Sequence, residues 1–203
     1  MIDSNPVRTS IEWGAITTDD SVFLSAVVPY REAVGSLMFL AIVTISIITY
    51  AVGVLSQGLD KPQQIHRIMV KRILKYLNGT KKCGIMYLGV ASATLESYSG
   101  SDYAGDPLIR RSRMVFKFYR GAITWRNQRQ NFIALSTAEA EFVAASQATK
   151  EATCLNNLLK ELCCVTSVPS LQMDNQNTIC LVKNPEFHNR NKHIDIHYKF
   201  IRE

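Results

Sequence analysis

Apolar residues follow three different rhythms along this chain. Residues 1–29 are polar with short apolar patches and read as a linker or lead-in. From Ala33 to Leu59 no charged residue occurs, and the centre of that run, LMFLAIVTISIITYAVGVL, is long enough to cross a bilayer. Ser36, Thr44, Ser46, Thr49 and Gly53 punctuate the run. Membrane helices tolerate such residues, so periodicity leaves two readings open. One is a buried helical segment; the other is a single membrane span over residues 33–59.

A second helix is expected from about Gln63 to Leu77. Ile65, Ile68, Met69, Ile73, Tyr76 and Leu77 share one face, while Arg67, Lys71 and Lys75 line another at i, i+4 spacing. Asn78-Gly79 stops it with residues suited to left-handed backbone. Beyond residue 91 the pattern changes to short runs of β-formers: Leu95–Ser99, Met114–Tyr119 and Ala122–Trp125, with Arg120-Gly121 as the turn between the last two. A long helix begins at Ser136, where Ser136-Thr137-Ala138-Glu139 forms a capping box. The stripe Phe142, Ala145, Ala148, Ala152, Leu155, Leu159 and Leu162 carries it to Leu162. Ser170–Met173 reads as a strand and Asn175–Val182 as a short helix. Three strands, a helix, a strand and a helix make a mixed α/β order. The chain therefore divides into a lead-in (1–29), a helical region (30–90) and a mixed α/β domain (91–203).

Composition adds the class of partner. The chain has 203 residues, 47% of them hydrophobic and 20% charged, which suits a protein that buries a core. Its formal charge of +6 is unevenly placed. No acidic residue falls between Asp60 and Glu96, whereas Lys61, Arg67, Lys71, Arg72, Lys75, Lys81 and Lys82 do. Such a block is a candidate phosphate-binding surface, with Arg67, Lys71, Arg72 and Lys75 on the basic side of the second helix; a solvated helix face is the plainer alternative. The five cysteines include no CxxC pair and read as reduced thiols of a cytoplasmic or nuclear protein. The first residues lack the charged-then-apolar pattern of a signal peptide. No small-molecule substrate is implied.

Candidate chemistry lies in the carboxylates. Glu141 falls in the early turns of the long helix and Asp174 at the end of the following strand. A strand-end Asp and a helix Glu can meet at one edge of a sheet, where oxygen ligands would hold divalent cations. Each also has a structural alternative: Glu141 favours the positive helix N-terminus, and Asp174 could be an N-cap.

Longer strings carry more. PYREAVGSLMFLA, YAVGVLSQGLDKPQQIH, VKRILKYLNGT, YSGSDYAGD, ITWRNQRQNFIALSTAEAEFVA and DNQNTICLVKNPEFHNRNKHIDIHYKFIRE, in that order, closely resemble the Pol polyprotein of copia-type LTR retrotransposons. The resemblance runs from Pro29 onward. It corresponds to the end of the reverse transcriptase, its connection, and most of the ribonuclease H domain.

The resemblance implies a ribonuclease H-like α/β fold, a mixed sheet of five strands flanked by helices, after a small helical connection region. It also implies Mg²⁺-dependent hydrolysis of the RNA strand of an RNA/DNA hybrid at a two-metal site. Glu141 matches the helix glutamate of the family's AEAEF-like motif, and Asp174 the aspartate of its DNQ motif. Where the family reads YSDADYAGD, this chain has Tyr98-Ser99-Gly100-Ser101-Asp102, so Gly100 stands at the position of the first metal-binding aspartate. Asp102 is a candidate substitute. In the family a further strand and an aspartate-bearing helix follow HIDIHYKFIRE, whereas this sequence ends at Glu203, leaving Asp195 as a candidate neighbour. The expectation is a Pol-derived nucleic-acid-binding domain whose nuclease activity is lost or weak. An active ribonuclease H and the membrane span are the alternatives. The family also carries a CTRPDI-like string where this chain reads VTISII. Losing those polar residues creates the apparent span, which favours a diverged core helix and makes a membrane partner the poorer reading.

Overall fold

The computed structural model describes residues 4–12, 22–25, 27–89, 94–102, 110–130, 134, 136–162 and 168–183. The chain divides into two compact units, Met1–Ile85 and Met86–Glu203.

In the first unit the long apolar run is not one helix. It forms α1 (Tyr30–Val43), a 3-10 turn (Ser46–Ile48) and α2 (Thr49–Leu55). The break falls at Thr44, whose amide and Oγ1 both donate to the Leu40 carbonyl, the hydroxyl at 3.2 Å. A side chain that satisfies the last turn in this way ends a helix. Thr49 Oγ1 then donates to the Ala41 carbonyl (3.3 Å) and Tyr30 Oη to the Leu55 carbonyl (2.9 Å), which folds α2 back along α1. At 14 residues α1 is about 21 Å long, short of a bilayer's hydrocarbon thickness of about 30 Å. No helix among the described residues is long and apolar enough to cross a membrane, so the span over residues 33–59 is not formed. Val34, Leu37 and Ala41 are buried, whereas Phe39 (65% exposed) and Ile42 (68%) sit outside.

α3 (Gln64–Gly79) completes this core with Met69, Val70, Ile73 and Tyr76. Its face is rotated from the one expected: Val70 is buried and Ile68 is 61% exposed. Gln63 and His66 form its N-terminal capping box, with the Gln63 amide donating to His66 Nδ1 at 3.0 Å. Val7 and Ile11 from the lead-in pack on the same core, and Asn78 Nδ2 donates to the Ser4 carbonyl at 3.2 Å.

The second unit is a four-stranded mixed sheet with helices against it. Its elements are β1 (Glu96–Asp102), β2 (Arg111–Phe118), β3 (Gly121–Arg129), α4 (Thr137–Glu161), β4 (Ser170–Gln172) and α5 (Gln176–Lys183). The order across the sheet is β3-β2-β1-β4; β1 pairs antiparallel with β2 and parallel with β4. This is the arrangement of a ribonuclease H-like fold, with four strands among the described residues. The β2–β3 turn is Tyr119-Arg120, one residue earlier than expected, and both have positive φ (49° and 63°). Gly121 instead opens β3, where a Cβ would collide with the Tyr87 ring; Tyr87 Oη donates to the Ala122 carbonyl at 2.8 Å. Ala148, Ala152 and Leu159 of α4 pack on Leu95, Met114 and Phe116. Leu162, expected on that stripe, is 62% exposed.

Candidate active site

Three segments distant in sequence reach one end of the sheet. The first is β1, which carries Gly100 and Ser101. The second is the start of α4, fixed by Ser136, whose Oγ accepts from the Glu139 amide at 3.2 Å. One turn later Glu141 is buried, and its Oε1 accepts from the Ser101 amide at 2.8 Å. The third is the end of β4. Its parallel register ends at the Tyr98–Gln172 pair, and Asp174 follows two residues on, in a bend, near enough for its charge to act on Glu141.

A second clamp holds that third segment in place. Asn175 Oδ1 accepts from the Thr178 amide at 3.1 Å, so Asn175 caps α5. Thr178, fully buried, donates from Oγ1 to the Ala138 carbonyl (3.3 Å), tying the start of α5 to the start of α4. Asp174, left out of the capping role, is exposed beside Glu141.

The charges report the same proximity. Burial pushes the Glu141 carboxyl above its ordinary range; the hydrogen bonding of Ser101 opposes this, Asp174 adds to it, and Arg113 opposes it. Arg113 stands directly across the ladder from Gly100. Asp102 pairs in register with Arg111 and is not among the charges acting on Glu141.

Comparison with known proteins gives this constellation its family. The chain is 42% identical over 180 residues to the retrovirus-related Pol polyprotein from transposon TNT 1-94 of Nicotiana tabacum, covering 88% of this chain and 14% of that one. It is 36% identical over 213 residues to the corresponding polyprotein from transposon RE1 of Arabidopsis thaliana, covering 100% of this chain and 14% of that one. The chain belongs to the copia-type retrotransposon Pol family. It spans about a seventh of the length of those polyproteins. A further relative, secreted RxLR effector protein 161 of Plasmopara viticola, is 42% identical over 116 residues, covering 56% of this chain and 82% of that one. No family model and no solved structure matches the chain.

Of the three positions that the sequence resemblance singled out, 141 and 174 are close enough for the Asp174 charge to act on Glu141, and position 100, a glycine, adjoins Ser101, whose amide donates to Glu141. A Cβ built at Gly100 meets no heavy atom within 4 Å. The Glu141 Oε2 atom is buried without a hydrogen-bond partner, an orphaned oxygen of the kind a cation satisfies. Two carboxylates do not make a two-metal set, however. Among the described residues no group of three or more His, Cys, Asp and Glu could hold a metal ion. Asp195 lies outside the described residues.

The basic helix of the Pol chain is less uniform than its spacing implied. Arg67 and Lys71 are exposed on α3 and Lys75 is half-buried. Arg72 is engaged: its Nη1 is 2.5 Å from Glu12 Oε1, and its Nη2 donates to Thr9 Oγ1 at 2.9 Å. Sequence reasoning did not single out Ser101, Arg113, Asn175 or Glu12. Asn175 was legible as a cap, three residues before Thr178. The others depend on strand register or on contacts distant in sequence.

Proposed function

We propose that this Pol-derived segment is a ribonuclease H-like domain that binds RNA/DNA hybrid and hydrolyses it weakly or not at all. The observation that carries the reading is the open space at Gly100, one peptide bond from the Ser101 amide that donates to Glu141. Mg²⁺ would supply charge stabilisation and an activated water at such a site. Glu141 and Asp174 are the residues that would hold it, Glu141 being oriented by the Ser101 amide. Without a carboxylate at position 100 the site lacks the negative charge for two cations. Losing several kcal/mol of transition-state stabilisation costs about three or more orders of magnitude in rate. Hybrid binding draws on backbone charge, with Arg67 and Lys71 as the exposed cations of α3, and is salt-dependent and indifferent to sequence.

The test is a labelled RNA/DNA hybrid with Mg²⁺ and the purified chain, Gly100→Asp, Glu141→Gln and the double variant. The unaltered chain is expected to retain hybrid at low salt with little cleavage. Gly100→Asp is expected to gain cleavage that Glu141→Gln removes. Robust cleavage by the unaltered chain, abolished in Glu141→Gln, would establish an active nuclease instead. A chain that neither binds hybrid nor gains cleavage in Gly100→Asp sinks the proposal.

A further inference from the structure

Within the helical unit, the lead-in and α3 leave between them a cavity of about 250 Å³. The lead-in is tied to α3 at two places. Asn78 Nδ2 donates to the Ser4 carbonyl near the end of the helix, and Arg72, nearer its start, holds Thr9 and Glu12. Val7 and Ile11 line the cavity from the lead-in side. Ala51 of α2 and Ile65, Met69 and Ile73 of α3 line it from the other. These walls are aliphatic or thioether, and no aromatic ring lines the cavity among the described residues. A flat base or sugar would find no ring to stack on there. An alkyl chain suits such walls, because each methylene group withdrawn from water contributes.

The remaining lining is charged. Lys71, Arg72 and Lys75 meet it from α3 and Glu12 from the lead-in, three cations against one carboxylate. Arg72 is only partly satisfied by its neighbours. Its Nη1 pairs with Glu12 and its Nη2 donates to Thr9 Oγ1, while its Nε is buried with no hydrogen-bond partner. A buried donor left without an acceptor is costly, and a ligand oxygen would relieve it. Apolar walls with a few placed polar groups are the usual form of a small-molecule site.

We infer that this cavity binds a small amphipathic acid. Its alkyl chain lies along the aliphatic walls, and its carboxylate accepts from Arg72 Nε within the positive field of Lys71 and Lys75. The volume lies below that of sites for drug-sized ligands, which sets the ligand at about ten non-hydrogen atoms. The inference rests neither on the Glu141 site nor on hybrid binding, since every residue it uses belongs to the helical unit.

Equilibrium dialysis of the whole chain against labelled octanoate, below its micellar concentration, is the test. One equivalent should bind saturably. Octanol, which lacks the charge, should bind about tenfold more weakly or worse, and acetate, which lacks the chain, not measurably. Arg72→Lys keeps the positive charge without the Nε–H donor and should weaken octanoate about tenfold. Ser10→Phe and Ile68→Trp each put a ring into the space, the second from a position 61% exposed on α3. Each should abolish binding with an unchanged circular dichroism spectrum, and the exposed position keeps the test open if Ser10→Phe does not fold. Glu141→Gln should bind as the parent does. The inference is overturned if octanoate shows no saturable binding in the millimolar range, the result expected if the chain itself fills the space. It is overturned equally if octanol binds as tightly as octanoate, if Arg72→Lys leaves affinity unchanged, or if a folded filling variant still binds.

Discussion

The Glu141 carboxylate on α4 and the Ser101 amide on β1 are joined by a 2.8 Å hydrogen bond. That bond fixes a buried acid against the residue that follows Gly100. It keeps Glu141 oriented without any cation, while burial disfavours its ionised form.

A first consequence is a pH dependence. The folded-state value of Glu141 is raised, so the folded protein prefers the protonated acid. Its contribution is complete below the unfolded value of 4.5 and declines as pH rises through the folded value. Glu141→Gln keeps an oxygen for the Ser101 amide and removes the titration. In EDTA its melting temperature should match the parent's near pH 4 and exceed it near pH 7.5. Parallel melting profiles for the two proteins across this range would refute the assignment.

Gly100→Asp should be accepted by the backbone, since its Cβ meets nothing within 4 Å. Without metal the new carboxylate adds repulsion beside Glu141 and Asp174 and lowers stability modestly. With Mg²⁺ the order should reverse, and at about 100 times the dissociation constant the gain is about 2.7 kcal/mol. Thermal melts against Mg²⁺ concentration measure this directly, and equal shifts for parent and variant count against a shared site.

His66 supplies a second titration, in the helical unit. Burial lowers its folded-state value from 6.5, and the Gln63 amide donates to its Nδ1, which requires the unprotonated nitrogen. Stability from this cap is present above pH 6.5 and lost as the pH falls toward the folded value. Gln in place of His66 should flatten the melting profile below pH 6.5, at a cost near 1 kcal/mol at pH 7.5. If the slope persists, another group carries it.

The Tyr119-Arg120 turn places two residues with side chains in left-handed backbone. Each costs about 1 kcal/mol relative to a residue at ease there. Tyr119→Asn with Arg120→Gly supplies the pair that such two-residue turns favour. The double variant should melt several degrees higher, without effect on hybrid binding. A lower melting temperature would show that Tyr119 packing outweighs the backbone term; its ring lies 4.5 Å from that of Phe118.

Much of the sheet-bearing unit was legible before its geometry. β-formers marked the three long strands, and Ser136 marked the start of α4 because an N-cap is a local device. The turn was misplaced because Gly121 looked like a turn residue, when the Tyr87 ring, distant in sequence, is what demands glycine there. The apolar run misled for a related reason. Hydropathy sums Val34 and Ile42 alike, although one is core and the other surface. Arg113 could not be found from spacing, because its relation to Gly100 exists only in the paired ladder.

The open space at Gly100 has a corollary beyond this chain's own chemistry. Position 100 contributes nothing to packing, and the clamps that gather the site, Asn175 with Thr178 and Thr178 with Ala138, involve none of the missing chemistry. The contacts that hold the scaffold are thus distinct from the side chain at position 100. A Cβ at position 100 meets no neighbour, so an acid there asks nothing of the surrounding backbone. The fold is therefore indifferent to whether position 100 is glycine or an acid, and the Ser101–Glu141 bond stands ready beside it in either case.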